Sequence, residues 1–423
     1  MDRDTVRHRS TGQSASGGGD EKHTKNVVDE PEEETGDAGW TTLIRVVAGI
    51  IVTFVFIPGL LLLLVSLTVP APINPVVISV PEPPKLEGAL EVNDLLTRGE
   101  RLFENEILGP ESIVFHKGHM YTGTEDGKIL DIKDGKISVL ATLGKPPCDV
   151  VSLKDALTCG RPLGLRMHGG SLYVVDSYLG LFKVSVETGK SQLLLSEIAG
   201  VKPAFVNNVD IDSCGIIYIS DSCRTWHMKE FLYPCLEGSG TGRLIRFDPH
   251  NNSTEVLIDG LHFANGVQLS PDEDFVLVVE GISARILRYH LKGPKKGQVD
   301  TFVENLPGLP DNIRPSSDGG YWLCGALPRG PGFSLFDFLA ARPLIRKLIT
   351  QLFSIDTLLK YPAPSTSVYK LNAQGEIVRS FWDVHQGILG VCTEVTEHDG
   401  VLYTGSYSSS FIGRFDLKKM ETA

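Results

Sequence analysis

The sequence predicts an all-β chain: a six-bladed β-propeller, preceded by one transmembrane helix and interrupted by a helical insert in the fifth blade. Three observations predict it. Short phrases recur at matching places in a strand pattern: Glu111 in GPES, Arg161 in GRPLG, Asn207 in FVNN, Asn265 in ANGVQLS and Asp311 in LPDN. Successive members lie 50, 46, 58 and 46 residues apart, the length of a blade of antiparallel strands. Between them the chain reads strand, turn, strand, with Gly-containing turns that suit hairpins. The first strand of each blade of such a ring lines a central channel. Oxygen-bearing residues far apart in sequence therefore converge there, and Glu, Asn and Asp oxygens are what a hard cation takes.

Residues 1–45 hold six Lys/Arg and ten Asp/Glu, with much Gly and Ser and almost no aromatic surface. Such a segment cannot bury a core, so a disordered cytoplasmic tail is expected. Residues 46–81 carry no charge and contain VVAGIIVTFVFIPGLLLLLVSLTV. About 20 apolar residues span a bilayer, so residues 46–69 are expected to form a signal-anchor helix. Pro58 and Gly59 are tolerated in such a helix. Arg45 abuts it on the N-terminal side and Lys85 lies well beyond it on the other, which favours a cytoplasmic N-terminus and a single-pass type II arrangement. The membrane at issue is the endoplasmic reticulum or the plasma membrane. Residues 70–90 are Pro-rich and read as a stiff spacer.

Two features fit a luminal or extracellular body. Asn251 and Asn252 head overlapping glycosylation sequons in NNST. Cys148 and Cys159 bracket a short step before GRPLG and suit a disulfide-closed loop contributing roughly 2–3 kcal/mol. Seven cysteines leave at least one unpaired, and no C-x-x-C spacing suggests zinc. The remainder of the chain has 34 Lys/Arg against 42 Asp/Glu, a balance that excludes a phosphate-binding footprint and with it nucleic acid.

The propeller is expected over residues 91–418. SIVFHKGHMYTGTEDGKILDIKDGKISVL opens it, with turns at KG, DG and DG. Five further segments follow the same scheme, and the last lacks an outer strand that Arg101–Ile107 can supply. That closure joins the ends of the ring and removes an exposed edge. Residues 331–366 break the pattern with apolar residues at helical spacing around Arg346 and Lys347. This insert reads as a helix against the rim, with a lid over the channel or a foot on a membrane surface as alternatives.

At GRPLG, FVNN, ANGVQLSPDEDFVLV, PGLPDNIRPSSDGGYW and EHDGVLYTGS the chain resembles the strictosidine-synthase-like family over roughly residues 86–418. That resemblance implies a six-bladed propeller, with calcium-dependent paraoxonases and gluconolactonases as wider relatives. In those relatives a channel calcium sits on Glu, Asn and Asp side chains of successive blades. Carried over phrase by phrase, the set falls on Glu111, Asn207, Asn265 and Asp311, with Asn312 as a fifth oxygen. The paraoxonase-type histidines have no counterpart, since their places read Leu163 and Ser177. The catalytic glutamate of strictosidine synthase is replaced by Thr393, with Glu394 adjacent and directed to the other face of a regular strand. A hydroxyl cannot take a proton from an amine near neutral pH, so alkaloid condensation is not expected.

Other motifs are absent: there is no G-x-S-x-G elbow and no P-loop, and His398-Asp399 belongs to a turn-like Asp399-Gly400 phrase. Two functions stay open. One is a weak calcium-dependent arylesterase or lactonase acting on a small hydrophobic ester, with Glu111 or Asp311 activating water. The other is a non-catalytic propeller whose metal is structural and whose loops bind a lipid-like ligand or a partner.

Overall fold

The computed structural model describes residues 37–148, 153–198, 200–330, 332–360, 365–384 and 389–421. The chain divides into two compact units, residues 1–62 and 63–423. In the first, an α-helix runs from Asp37 to Ile51, followed by a π-helical stretch, Val52–Phe56; a second α-helix, Ile57–Thr68, continues into the other unit. The π-turn lies just ahead of Pro58, whose ring and missing N–H would otherwise clash with a regular turn. Gly39–Thr68 contains an 18-residue window with a mean hydropathy of 2.8, none of it buried, which is compatible with a membrane anchor. The helix starts ahead of Val46 because Trp40, Leu43 and Ile44 extend the apolar run, with Arg45 as its only charge. The expected disordered tail therefore loses its C-terminal residues to the helix, and its remainder, 1–36, lies outside the described residues.

Residues 63–423 form six four-stranded antiparallel sheets. Their inner strands are Ile113–His116, Pro162–His168, Phe205–Ile211, Ala264–Leu269, Gly308–Pro315 and Glu394–His398. Hydrophobic clusters fill the wedges between neighbouring blades. Val175, Ile217 and Ile245, for example, are buried together at the boundary of blades two and three. The hairpin phrases behave as their residues require: Lys117-Gly118, Asp134-Gly135 and Asp399-Gly400 all take positive φ, the geometry of type I′ turns. Asp399 is thus a turn residue. The sixth blade is closed by Glu100–Leu102, which pairs with Ile412–Asp416. The closing strand ends there rather than at Ile107 because Phe103 and Asn105 adopt φ of 57° and 64° and turn the chain away.

The Pro-rich segment is not a free spacer. Val76 N–H donates to Glu237 O at 2.9 Å, Ile78 N–H to Ala340 O at 3.0 Å, and Ile73 and Ile78 are buried. Proline holds this stretch extended, and it docks as a strap through Ile73 and Ile78. Among its described residues the insert has three short helices, Leu335–Ala340, Pro343–Leu352 and Ile355–Leu358. Ser334 and Ser354 cap two of them, and Pro343 occupies the first turn of the third, so each new helix has its own start signal.

Cys148 and Cys159 are disulfide-bonded, and a second bridge, Cys324–Cys392, joins the second strand of blade five to the entry of blade six. Cys214, Cys223 and Cys235 are free thiols. The second pair is separated by 68 residues and has no local signature. Closing that loop contributes about 4 kcal/mol in the chain-entropy treatment. The double variant Cys324→Ser/Cys392→Ser is expected to lose stability of that order in a denaturant titration, against about 3 kcal/mol for Cys148→Ser/Cys159→Ser.

Candidate functional site

The inner strands share one irregularity. In blades two to five the ladder skips two residues against the neighbouring strand: Leu163-Gly164, Asn207-Asn208, Asn265-Gly266 and Asp311-Asn312. Glu111-Ser112 stands just ahead of the inner strand of blade one, and Thr393-Glu394 enters that of blade six. A residue freed from the ladder aims its side chain where a regular strand would not. Six pairs thus ring the channel, and Asn265-Gly266 is part of a strand and no turn. The blade-two member is Leu163, two residues beyond the Arg161 that sequence spacing suggested, so the ring has an apolar place there.

The first members carry the unsatisfied oxygens. Glu111 Oε2, Asn207 Oδ1, Asn265 Oδ1, Asp311 Oδ1 and Thr393 Oγ1 are enclosed without a hydrogen-bond partner. A buried acceptor left unpaired costs about 1–3 kcal/mol, so five in one ring call for a ligand. Their directions are held by neighbours. Asn207 Nδ2 donates to Ser222 Oγ at 3.1 Å, and that hydroxyl donates to Ala264 O at 2.6 Å. Asn265 hydrogen-bonds to the Asp311 side chain. Burial pushes the Glu111 carboxyl up to about 7, with Arg161 opposing and Glu394 adding to the rise. Burial and the Glu111 charge raise Asp311 well above the usual carboxylate range.

The second members form a layer beneath. Asn312 belongs here and not among the oxygen donors: its Oδ1 accepts from Asn208 Nδ2 at 2.5 Å, and its Nδ2 donates to Glu111 Oε1 at 3.4 Å. It holds Glu111 in place. Glu394, the first residue of the blade-six inner strand and in regular register with Gly405, also belongs to this second layer. It is fully buried, accepts from Ser112 Oγ and Ile113 N–H at 2.7 Å each, and pairs with Arg314. Arg314 also donates to Ser112 Oγ at 2.9 Å and to Asn208 Oδ1 at 3.3 Å. One step further along the strands, Arg166 Nε donates to Asp210 Oδ1 at 3.1 Å, and Gln268 bonds to both. The layers can approach because glycine lets them. A Cβ on Gly405 would meet Glu111 O at 1.9 Å, and one on Gly164 would meet Asn208 Cα at 2.7 Å.

A cavity of about 520 Å³ adjoins the ring, with Arg161, Tyr178, Lys229, Phe231, Ile355 and Tyr407 among its walls. Arg161 and Tyr407 connect the two. The Glu111 charge acts on Arg161, the Asp311 charge acts on Tyr407, and Arg161 Nη2 donates to Tyr407 O at 3.0 Å. Arg161 Nε and Nη1 are enclosed without an acceptor. Ser177 Oγ is buried and unpartnered. His119 bonds to Asp131 at 2.7 Å, His398 stacks on Phe115 at 4.1 Å, and His227, with its ring centre 6.1 Å from that of Tyr178 in the cavity wall, hydrogen-bonds through Nδ1 to Ala204 O at 3.1 Å. Among the described residues no cluster of three or more His, Cys, Asp or Glu has a metal-binding arrangement. Any cation in the ring therefore relies on amide oxygens beside two carboxylates.

Asn208, Arg314 and the Thr393 hydroxyl were missed as ring and support residues. Aligning the four phrases that share the two-residue irregularity with the strand entries of blades one and six, and reading up to three places on from each first member, picks them out.

Fold and ring define the class: a six-bladed propeller with a channel lined by carboxylate and amide oxygens. Residues 88–132 match the family described as strictosidine synthase-like, N-terminal, and residues 207–294 match strictosidine synthase. The adipocyte plasma membrane-associated protein of Danio rerio is 43% identical over 403 residues, covering 93% of this chain and 96% of its own length. The Homo sapiens protein of that name is 44% identical over 379 residues, covering 86% and 91%. The chain belongs to the strictosidine-synthase-like family, in company with these membrane-associated proteins. A gluconolactonase from Xanthomonas campestris shares the fold, with a TM-score of 0.50 and 14% identity over 82% of this chain and 96% of that one.

Proposed function

We propose that the chain is a membrane-anchored propeller that holds calcium in its channel and slowly hydrolyses small aryl esters or lactones. One observation carries this reading: the oxygens of Glu111, Asn207, Asn265 and Asp311 are enclosed and unpartnered, and the Glu111 charge acts on Arg161 in the wall of an open cavity. Neutral amide oxygens with two carboxylates suit a hard divalent cation, and the Thr393 hydroxyl offers a further donor. Calcium bound there would polarise an ester carbonyl as a Lewis acid. The protein's own groups would do the rest. Arg161 presents two unused donors to an acyl oxygen, and Tyr178 and Phe231 pack an apolar leaving group. A ring carboxylate, Glu111 or Asp311, takes the proton of the attacking water. Leu163 and Ser177 stand where a base pair of histidines would speed that step, so turnover is slow.

The same two residues favour a second reading, in which the calcium only holds the blades and the cavity binds a lipid-like ligand. Phenyl acetate and a simple lactone, offered to the detergent-solubilised full chain with calcium or chelator, separate the two. The full chain is needed because Ile73 and Ile78 pack into the body. Calcium-dependent hydrolysis that Glu111→Gln abolishes in a folded protein supports the enzyme. Absence of hydrolysis in the calcium-loaded protein sinks it.

The disulfides and the exposed turn at Asn251 and Asn252 support a luminal or extracellular body in a type II arrangement. The expressed chain is expected to shift in mobility on treatment with peptide N-glycosidase, and Asn251→Gln/Asn252→Gln is expected to remove that shift. An untreated-like mobility for both proteins would argue for the opposite orientation.

A further inference from the structure

The Pro343–Leu352 helix is built inside out. Its arginine, Arg346, is 1% exposed, and its guanidinium donates inward to Leu236 O at 2.6 Å, to Ala340 O at 3.1 Å and to Val76 O. Leu344, by contrast, is 79% exposed, and Ile345 and Leu352 on the same side are exposed as well. Phe333, Leu335 and Phe353, which flank this helix in the insert, are also exposed. A surface helix of a water-soluble body turns its apolar stripe to the core. Here the core face takes the cation and the outer face keeps the leucines. An apolar patch of this kind marks an interaction surface.

Its position says what covers it. Gln351 Nε2, beside Leu352 and Leu344 on the helix surface, donates to Ser66 O and Val69 O at the end of the Ile57–Thr68 helix. The apolar stripe therefore begins where the apolar helix ends. A basic fringe surrounds it: Arg342 and Lys360 are exposed, Lys347 is half-buried, and the Arg342 guanidinium lies 4.1 Å from the Phe338 ring centre. Asp337 is paired with Arg329, which leaves Asp356 as the exposed acid of the insert. Apolar side chains ringed by Lys and Arg are the composition of a helix lying in the headgroup region of a bilayer.

We infer that the blade-five insert docks on the same bilayer surface that receives the apolar helix. Leu344, Ile345, Leu352, Phe333, Leu335 and Phe353 enter the acyl boundary, and Arg342, Lys347 and Lys360 meet lipid phosphates. This rests on the apolar helix being a membrane anchor. The next helix of the insert supplies Ile355 and Leu359 to the cavity wall, so docking sets the cavity beside the lipid and favours amphiphilic ligands drawn from it.

The full chain is reconstituted into phosphatidylcholine–phosphatidylserine vesicles, with and without brominated acyl chains, as Leu344→Trp, Leu352→Trp and, as a control, Glu187→Trp. Glu187 lies in the exposed turn between the two outer strands of blade two, at the other end of the propeller. Emission is compared with that of the parent chain. Leu344→Trp and Leu352→Trp are expected to lose at least half of their added emission to brominated lipid, and Glu187→Trp none. A solvent-like, unquenched Trp at position 344 in vesicle-bound protein overturns the docking and leaves the anchor standing. Blue-shifted emission that bromine does not quench means a second copy or another protein covers the face, and also overturns it. A chain that fails to enter vesicles overturns the anchor and the docking together.

Discussion

Asp311→Asn is expected to raise the melting temperature of the chelator-treated protein and to erase most of the further rise that calcium gives the parent. Without a cation, Glu111 and Asp311 are two carboxylates enclosed in one ring, and the Glu111 charge is a cause of the upward shift of Asp311. Removing one charge relieves burial and repulsion together, by about 1–3 kcal/mol and hence a few degrees. With the cation the sign reverses. A ligand at a hundred times its dissociation constant stabilises by about 2.7 kcal/mol, and a ring with one carboxylate fewer loses much of that. The pH dependence follows from the same groups. Glu111 is raised from 4.5 to about 7 in the folded chain. Stability tied to its protonated form is complete below about 4.5 and is lost as pH rises through about 7. The chelated parent should therefore melt at falling temperature between those values, and calcium should oppose the fall. A variant destabilised in chelator yet still stabilised by calcium would put the cation elsewhere.

Arg314→Leu is expected to cost about 3–5 kcal/mol, read as the loss in a denaturant titration. The guanidinium is 4% exposed and faces Glu394, which has no exposure at all. Removing it leaves a buried carboxylate with three neutral donors, the Ser112 and Thr396 hydroxyls and Ile113 N–H, and no counter-charge. It also withdraws a donor from Asn208, which steadies Asn312 and through it Glu111. Pairing the change with Glu394→Gln should recover part of the loss, since the uncompensated charge is then gone. A single variant as stable as the parent would contradict this role of Arg314.

Much of the fold could be read from the sequence, because hairpin turns announce themselves locally. Lys117-Gly118, Asp134-Gly135 and Asp399-Gly400 fix strand ends, and the phrases they separate repeat six times. The oxygen ring was legible at Glu111, Asn207, Asn265 and Asp311, where residue type and blade position agree. Asn312, read as a fifth oxygen, sits one residue from the ring with its Oδ1 bonded to Asn208, and the ring place in the GRPLG phrase falls on Leu163. Asp311 and Asn312 both fall in a break of strand register that depends on the neighbouring strand, and their partners in the fold decide which one keeps a free oxygen. Cys324–Cys392 and the docking of Ile73 and Ile78 are contacts across long sequence separations, for which a single chain carries no local mark. The inverted burial of Arg346 and Leu344 was equally hidden: an amphipathic pattern gives two faces without saying which one is inside.

The central claim is that the channel ring holds a divalent cation. Direct calcium titration of the detergent-solubilised, chelator-stripped full chain tests it, with Asp311→Asn run alongside. One equivalent bound by the parent, and a much weakened or absent site in a folded variant, is the predicted result. A parent that binds no calcium, or a variant that binds it as the parent does, would contradict the account.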